Sequence, residues 1–216
     1  MSPQPAKSGP ERIDLVGHYV RLEPLDPRHA ADLLAVSNMP GGPERFRWLF
    51  SEAPASGAEM DAWIDKSNAG PDRYVAVIDK ASGKAVGQQA WLRIRPEHGS
   101  IEIGGVHWGL PMAKTPLATE ALYLFARHAF DDLGYRRFEW KCNNLNEPSK
   151  AAARRFGFSC EGLFRQHMWV KGANRDTAWF AMLDHEWPRL KRAYGRWLDP
   201  ANFDAASNQR SKLQVL

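Results

Sequence analysis

Long apolar runs are missing from this 216-residue chain. No stretch approaches the roughly 20 consecutive apolar residues that a bilayer-crossing helix needs, and Met1–Pro10 lacks the apolar core of a signal peptide. The expected location is therefore the cytoplasm, with no membrane partner. Cysteine is nearly absent: Cys142 and Cys160 are the only two, without CxxC spacing or a histidine cluster beside them. That argues against a disulfide framework and against a metal site, and both residues read as reduced thiols in or beside strands. A strong charge of either sign is also lacking. The formal net charge of +4 suits an anionic small molecule or a nucleic-acid surface equally well. No internal repeat and no internal linker rich in Gly, Pro or Ser is present. Residues 12–198 are expected to form a single domain, between a disordered lead-in over 1–11 and a polar tail over 199–216.

Tryptophan, by contrast, is plentiful, with nine residues. Trp91, Trp108, Trp140, Trp169 and Trp179 fall in strand patterns, where they line a core or pocket or else stack on single-stranded bases. No RNA-binding signature accompanies them, so the core reading is preferred and no nucleic-acid partner is expected.

Periodicity and turn residues order the chain. Tyr19–Leu25 alternates like a strand. Asp26 then caps a helix with Pro27 at its first position and Ala30, Leu33, Leu34 and Ser37 at helical spacing. Pro40, Gly41, Gly42, Pro43 and Pro54 make 39–56 a loop with one helical turn near 44–50, and a second amphipathic helix covers 57–68 with Met60, Trp63 and Ile64 inward. Strands at 74–78 and 85–94 form a hairpin through Lys80–Gly83. A strand over 101–108 enters a loop, 109–116, that opens a long helix, 117–133, ended by Gly134. A strand at 137–141, a helix at 146–156 stopped by Gly157, a hairpin of 158–170 and 175–183 around Gly172-Ala173-Asn174, and a helix over 187–197 complete the order. The strand, helix, strand run from 101 to 141 is a βαβ unit, whose strands are parallel. The fold class is α+β, with a mixed sheet and helices on both faces.

The stretch Ser100–Arg137 organises the rest, because a strand, a tight loop and a helix N-terminus present unpaired N–H groups and a favourable dipole to an anion. Val20-Arg21-Leu22-Glu23-Pro24-Leu25, Glu102-Ile103-Gly104 and Ala118-Thr119-Glu120-Ala121 are followed by Asn146-Glu147-Pro148-Ser149, Gly157-Phe158, Glu161-Gly162, Arg175-Asp176 and Glu186-Trp187. In this order they resemble the GCN5-related N-acetyltransferase (GNAT) superfamily, and within it the RimJ/RimL-like branch, over Gly17–Trp187. The resemblance implies a mostly antiparallel central sheet with a splayed parallel strand pair. It also implies acetyl-CoA as co-substrate, no metal, and a primary amine as acceptor, on a peptide or a small molecule. The final hairpin offers a surface for a homodimer.

One motif departs from the family. Its pyrophosphate loop usually reads Gln/Arg-x-x-Gly-x-Gly/Ala, whereas this chain has Ala113-Lys114-Thr115-Pro116-Leu117-Ala118. Pro116 removes an N–H donor and the freedom of positive φ, while pre-setting the helix. Lys114, Thr115 and the backbone of Leu117, Ala118 and Thr119 are expected to hold the pyrophosphate, or else Lys114-Thr115-Pro116 is only a helix entry. Val106, His107 and Trp108 would pair with the pantetheine arm through their backbone, helped by Asn146. Gly104 and Gly105 mark a bulge or a close approach.

For the acid that reprotonates the leaving thiolate, Ser149 stands where RimL-like enzymes place a serine, although Asn-x-x-Ser also caps a helix. Glu102, then His107 and Glu139, are candidates for the base, and strand alternation places Glu102 and His107 on opposite faces; water is the other candidate. Arg45, Arg47, Trp48, Trp91, Arg165 and His167 are candidate acceptor-pocket walls. Glu120 reads as a first-turn carboxylate favouring the helix dipole. The missing loop glycine leaves a CoA-binding regulator of the same fold as the alternative function.

Overall fold

The computed structural model describes residues 5–204 and 208–215. Along it run β1 (Leu15–Val16), β2 (Val20–Pro24), α1 (Ala30–Ser37), α2 (Gly42–Arg45), α3 (Gly57–Ala69), β3 (Arg73–Asp79), β4 (Ala85–Arg95), β5 (Ser100–Trp108), α4 (Pro116–Arg127), β6 (Arg137–Asn143), α5 (Glu147–Arg155), β7 (Ser159–Val170), β8 (Ala173–Leu183) and α6 (Trp187–Leu198). Boundaries follow local chemistry. Asp26 accepts from the Arg28 N–H at 3.0 Å, and a 3-10 turn at Pro27–His29 leads into α1. Ser56 accepts from Glu59 N–H at 3.2 Å to start α3. Helix α4 is shorter than its periodicity suggests, because a π-helical turn, His128–Asp132, takes over at its end.

The strands form a mixed, mostly antiparallel eight-stranded sheet in the order β1-β2-β3-β4-β5-β6-β8-β7, with β5 and β6 the parallel pair. This is the βαβ unit read from the sequence. By contacts the chain divides into two compact units.

One unit comprises Pro10–Ile94 and Ile103–Leu124. Its core joins Leu25, Leu33, Met60, Ile64, Ala76, Ile78 and Ala85, with Trp63 and Tyr74 packed against them; each large side chain so buried contributes about 1.5–3 kcal/mol. Glu23, from the first family-like motif, is buried here. Burial works to raise its pKa, but hydrogen bonds from His29, Arg28 and Arg21 bring it below the usual carboxylate range.

The other unit comprises the segment ending at Gly9, Arg95–Glu102 and the chain from Phe125 on. Helix α6 buries Trp187, Leu190, Ala193, Tyr194 and Trp197, a helical stripe, and the Tyr194 hydroxyl donates to the Phe156 carbonyl at 2.7 Å. Within the expected lead-in, Ala6 and Lys7 donate N–H to Pro96 and Leu133, each at 2.9 Å; residues 1–4 lie outside the described residues. The tail is docked at Val215, which is buried and whose carbonyl accepts from Arg189; residues 205–207 and 216 are likewise outside. The last hairpin turns at Lys171-Gly172, both with positive φ (50° and 72°), earlier than the expected Gly172-Ala173-Asn174. Among the described residues strand β7 is paired only to β8, and β-bulges break its register between Cys160 and Gly162 and between Phe164 and Met168. Gln166 there has φ 50° and donates its N–H to Asp176 Oδ1 at 2.7 Å. Of the five tryptophans in strand patterns, Trp91 and Trp140 are buried, Trp108 and Trp179 half-buried and Trp169 exposed.

Candidate active site

In the first unit, β5 ends at Trp108 and the chain turns into α4 through 109–115. Ala113 (φ −69°, ψ 127°) and Lys114 (φ 60°) form a type II turn closed by the Thr115 N–H on the Met112 carbonyl at 3.4 Å. The third position of such a turn normally takes glycine. The left-handed backbone that Pro116 forbids at its own position therefore survives two residues earlier, on a lysine, at a cost of about 1–2 kcal/mol. Thr115 is engaged locally. Its hydroxyl donates to the Met112 carbonyl at 2.9 Å and accepts from the Leu117 N–H at 3.3 Å, so it caps the helix rather than pointing its proton outward. Leu117, Ala118 and Thr119 follow directly in the first turn of α4, with the Leu117 N–H already donated to Thr115.

Glu120, one turn in, has a different structural role from the one expected. Only 4% exposed, its carboxylate accepts the backbone N–H groups of His18, Tyr19 and Val20 at 2.7, 2.6 and 2.7 Å. It ties α4 to the turn between β1 and β2. Gly17 is required at that turn, because a Cβ there would stand 2.4 Å from Glu120 Cδ.

Gly105 interrupts β5 with φ 58°, and a Cβ on it would lie 2.7 Å from the Tyr74 ring. The expected close approach at Gly105 is thus made by Tyr74, and its left-handed φ is one that glycine adopts without strain. His107 is 2% exposed, lies against the Phe46 ring at 4.5 Å, and neither ring nitrogen has a hydrogen-bond partner among the described residues. Arg45 donates to the Trp108 carbonyl, and the Trp108 indole donates to Gln89 at 2.9 Å. Arg47 lies over the Trp48 ring at 4.8 Å, while Trp91 is 2% exposed and offers little wall to a ligand.

Burial pushes the His107 pKa down to about 4, with the Arg45 charge adding to the effect. The unfolded chain protonates this imidazole below about pH 6.5, where the folded protein keeps it neutral. In that window the unfolded state binds the extra proton, so acidification favours unfolding. Through this one group the wild type should lose about 2.5 kcal/mol between pH 7.5 and 4.5, relative to His107→Phe. Urea unfolding of both proteins at the two pH values checks this; parallel losses would mean the imidazole is not held neutral.

In the second unit, Glu102 and Glu139 both hold Lys141. The ammonium lies 2.8 Å from Glu102 Oε2, 2.6 Å from Glu139 Oε2 and 3.7 Å above the Trp179 ring, and its side chain is 4% exposed. Burial works to raise the Glu139 pKa, but hydrogen bonds from Lys141 and Arg137 hold it below the usual range. Arg137 continues the chain of charges to Glu161, with Nη1 to Oε1 at 2.8 Å. Ser149 sits in the first turn of α5, its N–H capped by Asn146 Oδ1 at 3.2 Å and its hydroxyl accepting from Trp140 Nε1 at 2.9 Å. His167 meets the Thr177 hydroxyl at 2.9 Å and the Phe164 ring, whereas Arg165 is exposed on β7.

The geometry thus groups Lys114, Thr115 and Leu117–Thr119 around one turn, and Glu102 with Glu139 around Lys141. Val106, His107 and Trp108 follow one another on β5; Asn146 and Ser149 open α5. Sequence reasoning missed Lys141, Trp140 and Phe46. The alternation Arg137, Glu139, Lys141 on one face of β6 was a usable signal for the first; the others depend on contacts between elements.

No helix among the described residues is long and apolar enough to cross a membrane, and no cluster of three or more His, Cys, Asp or Glu is placed to hold a metal ion. The family profile described as Acetyltransferase (GNAT) domain matches residues 20–159. Curated protein sequences give no match. Among solved structures, a GCN5-related N-acetyltransferase from Brucella melitensis is 52% identical with a TM-score of 0.96, covering 99% of this chain and 98% of that one. A GNAT-family protein from Chromobacterium violaceum is 38% identical with a TM-score of 0.80, covering 87% and 94%. The acetyl transferase of Salmonella typhimurium that modifies the N-terminal serine of ribosomal protein L7/L12 shares the fold, at 19% identity and a TM-score of 0.68, over 79% and 99%.

Proposed function

Because the chain belongs to the GNAT acetyltransferase family, we propose that it transfers the acetyl group of acetyl-CoA to a primary amine by direct attack with both substrates bound. The observation that carries this reading is the type II turn at the start of α4, where a lysine occupies a left-handed position. Backbone outliers gather at ligand sites, and this one adds a cation to a helix N-terminus suited to a pyrophosphate. In this reading Lys114 and the backbone at Ala118 and Thr119 take the pyrophosphate, while Thr115 shapes the turn and holds the Leu117 N–H. The backbone of Val106, His107 and Trp108, with Asn146, holds the pantetheine arm.

The amine nitrogen attacks the thioester carbon, the carbon–sulfur bond breaks with its electron pair going to sulfur, and the Ser149 hydroxyl protonates the thiolate. Water carries the proton released by the amine back to Ser149. Glu102 and Glu139 are each held by Lys141 and serve as a fixed negative environment rather than as the base. His107, with its lowered pKa, is a weak base. An acceptor that reaches the enzyme partly neutral suits such a site: an α-amine has a pKa of about 7.7–8.0 and a lysine side chain about 10.4. We therefore favour a peptide or protein N-terminus, in line with the Salmonella enzyme's named substrate, with Arg47, Trp48, Arg165 and His167 as candidate acceptor contacts. The reaction would run in the cytoplasm.

Incubation with acetyl-CoA and a panel of peptides, polyamines and aminoglycosides, following free thiol, tests the proposal. Turnover should be fastest with unblocked peptide α-amines, and Ser149→Ala should lower kcat about 100-fold, the low end for loss of a general acid. No turnover on any amine, with acetyl-CoA still bound, would favour a CoA-binding regulator, the reading that the proline in the loop supports.

A further inference from the structure

We infer that Trp140 is a positioning residue for acetyl transfer, its indole N–H occupying the Ser149 hydroxyl as an acceptor so that the hydroxyl proton is kept for donation to the leaving sulfur. The inference rests on the role proposed for Ser149. An indole N–H donates and cannot accept, so the 2.9 Å contact between Trp140 Nε1 and Ser149 Oγ has one possible direction. Ser149 must be the acceptor there. Its one proton is left for another partner.

The indole is well placed to impose this. Trp140 is 6% exposed, on the face of β6 that it shares with Phe138 and Cys142, and its ring packs against Phe158 at 5.7 Å and Phe156 at 6.1 Å between centroids. A ring locked on two sides cannot follow a wandering side chain, so Ser149 comes to it. From the other side Asn146 fixes the backbone of Ser149 by accepting its N–H at 3.2 Å. Backbone and one lone pair are therefore both pinned, and only rotation about the Cβ–Oγ bond remains. Filling a lone pair on a hydroxyl with a donor also polarises its O–H, strengthening it as a donor by about 10–30%.

The Ser149 hydroxyl hydrogen-bonds Cys142, whose thiol pKa is raised by burial despite that contact. A neutral thiol is a weak acceptor and releases the hydroxyl easily to a thiolate. In the transfer step the bond between the acetyl carbon and the CoA sulfur breaks, the electron pair passes to sulfur, and the Ser149 proton follows it. As negative charge grows on Oγ, the Trp140 N–H is already in place to stabilise it, and the proton given up by the amine returns through water.

A double-mutant cycle on kcat tests this, with acetyl-CoA and a peptide amine that the wild type acetylates. Trp140→Phe should lower kcat about tenfold, as expected for one lost hydrogen bond, and leave the KM for acetyl-CoA within about twofold. In the Ser149→Ala background the same substitution should change kcat less than about twofold. Equal effects in both backgrounds would overturn the inference and leave Trp140 a core residue. If Ser149→Ala leaves kcat unchanged, the role of Ser149 falls and that of Trp140 with it. Should Trp140→Phe fail to fold, the nitrogen-15 spectrum of the nine indoles decides: one indole N–H should shift upfield in Ser149→Ala, and nine unmoved resonances would overturn the hydrogen bond itself.

Discussion

Glu120→Ala is expected to destabilise the protein by about 3–5 kcal/mol, summing the desolvation of three N–H groups at about 1–3 kcal/mol each and allowing for some rehydration. The groups are the N–H donors of His18, Tyr19 and Val20, all within 2.7 Å of one buried carboxylate. The carboxylate approaches so closely that Gly17 has no room for a Cβ. A domain's whole stability is about 5–15 kcal/mol, so the variant should sit near its folding threshold at physiological temperature. Glu120→Gln should fall between, because its amide keeps one accepting oxygen but turns an NH2 toward donors. Urea unfolding of the three proteins measures the series. A loss below about 1 kcal/mol in Glu120→Ala would mean that the β1–β2 turn is held by its strands alone.

Lys141→Met should cost about as much for a different reason. Methionine matches the stem of lysine, so packing over Trp179 is largely kept. What disappears is the cation shared by Glu102 and Glu139. Breaking a buried ion pair by removing one partner costs about 3–5 kcal/mol; here Glu139 keeps Arg137, but the cation that stood between its carboxylate and that of Glu102 is gone. The deficit at pH 7 should therefore shrink as the pH falls toward 4, since protonating either carboxylate relieves the repulsion. Adding Glu102→Gln to Lys141→Met should recover part of the loss. Chemical denaturation of single and double variants at both pH values checks this, and a deficit independent of pH would assign the loss to packing instead.

Features encoded within a few residues were legible in the sequence. Asp26 with Pro27, Ser56, Asn146 with Pro148, and Gly157 each satisfy or end a helix by contacts inside one turn, and the helices begin and end within a residue or two of those signals. Strand β1 was not legible, because two residues carry no period and exist as a strand only through pairing Leu15 with Leu22 and Val16 with Arg21. Lys114 and Lys171 escaped for a related reason: lysine in a left-handed turn carries no compositional flag, and the surrounding hydrogen bonds impose it. Of the candidate site, residue types along β5, the loop and α5 were readable, but their partners were not. Glu120 meets residues about 100 positions earlier, and Glu102 is claimed by a lysine on the next strand.

The bulged register of β7 bears on what this protein does at high concentration. A twelve-residue strand with a neighbour on one side only offers a row of free backbone groups to any passing extended chain, and Leu163, Phe164 and Trp169 make it greasy as well. The kink at Gln166, pinned by Asp176, cuts that row into pieces too short and too twisted to template a new strand. Straightening it would leave fold and chemistry in place, and the price would appear as precipitation.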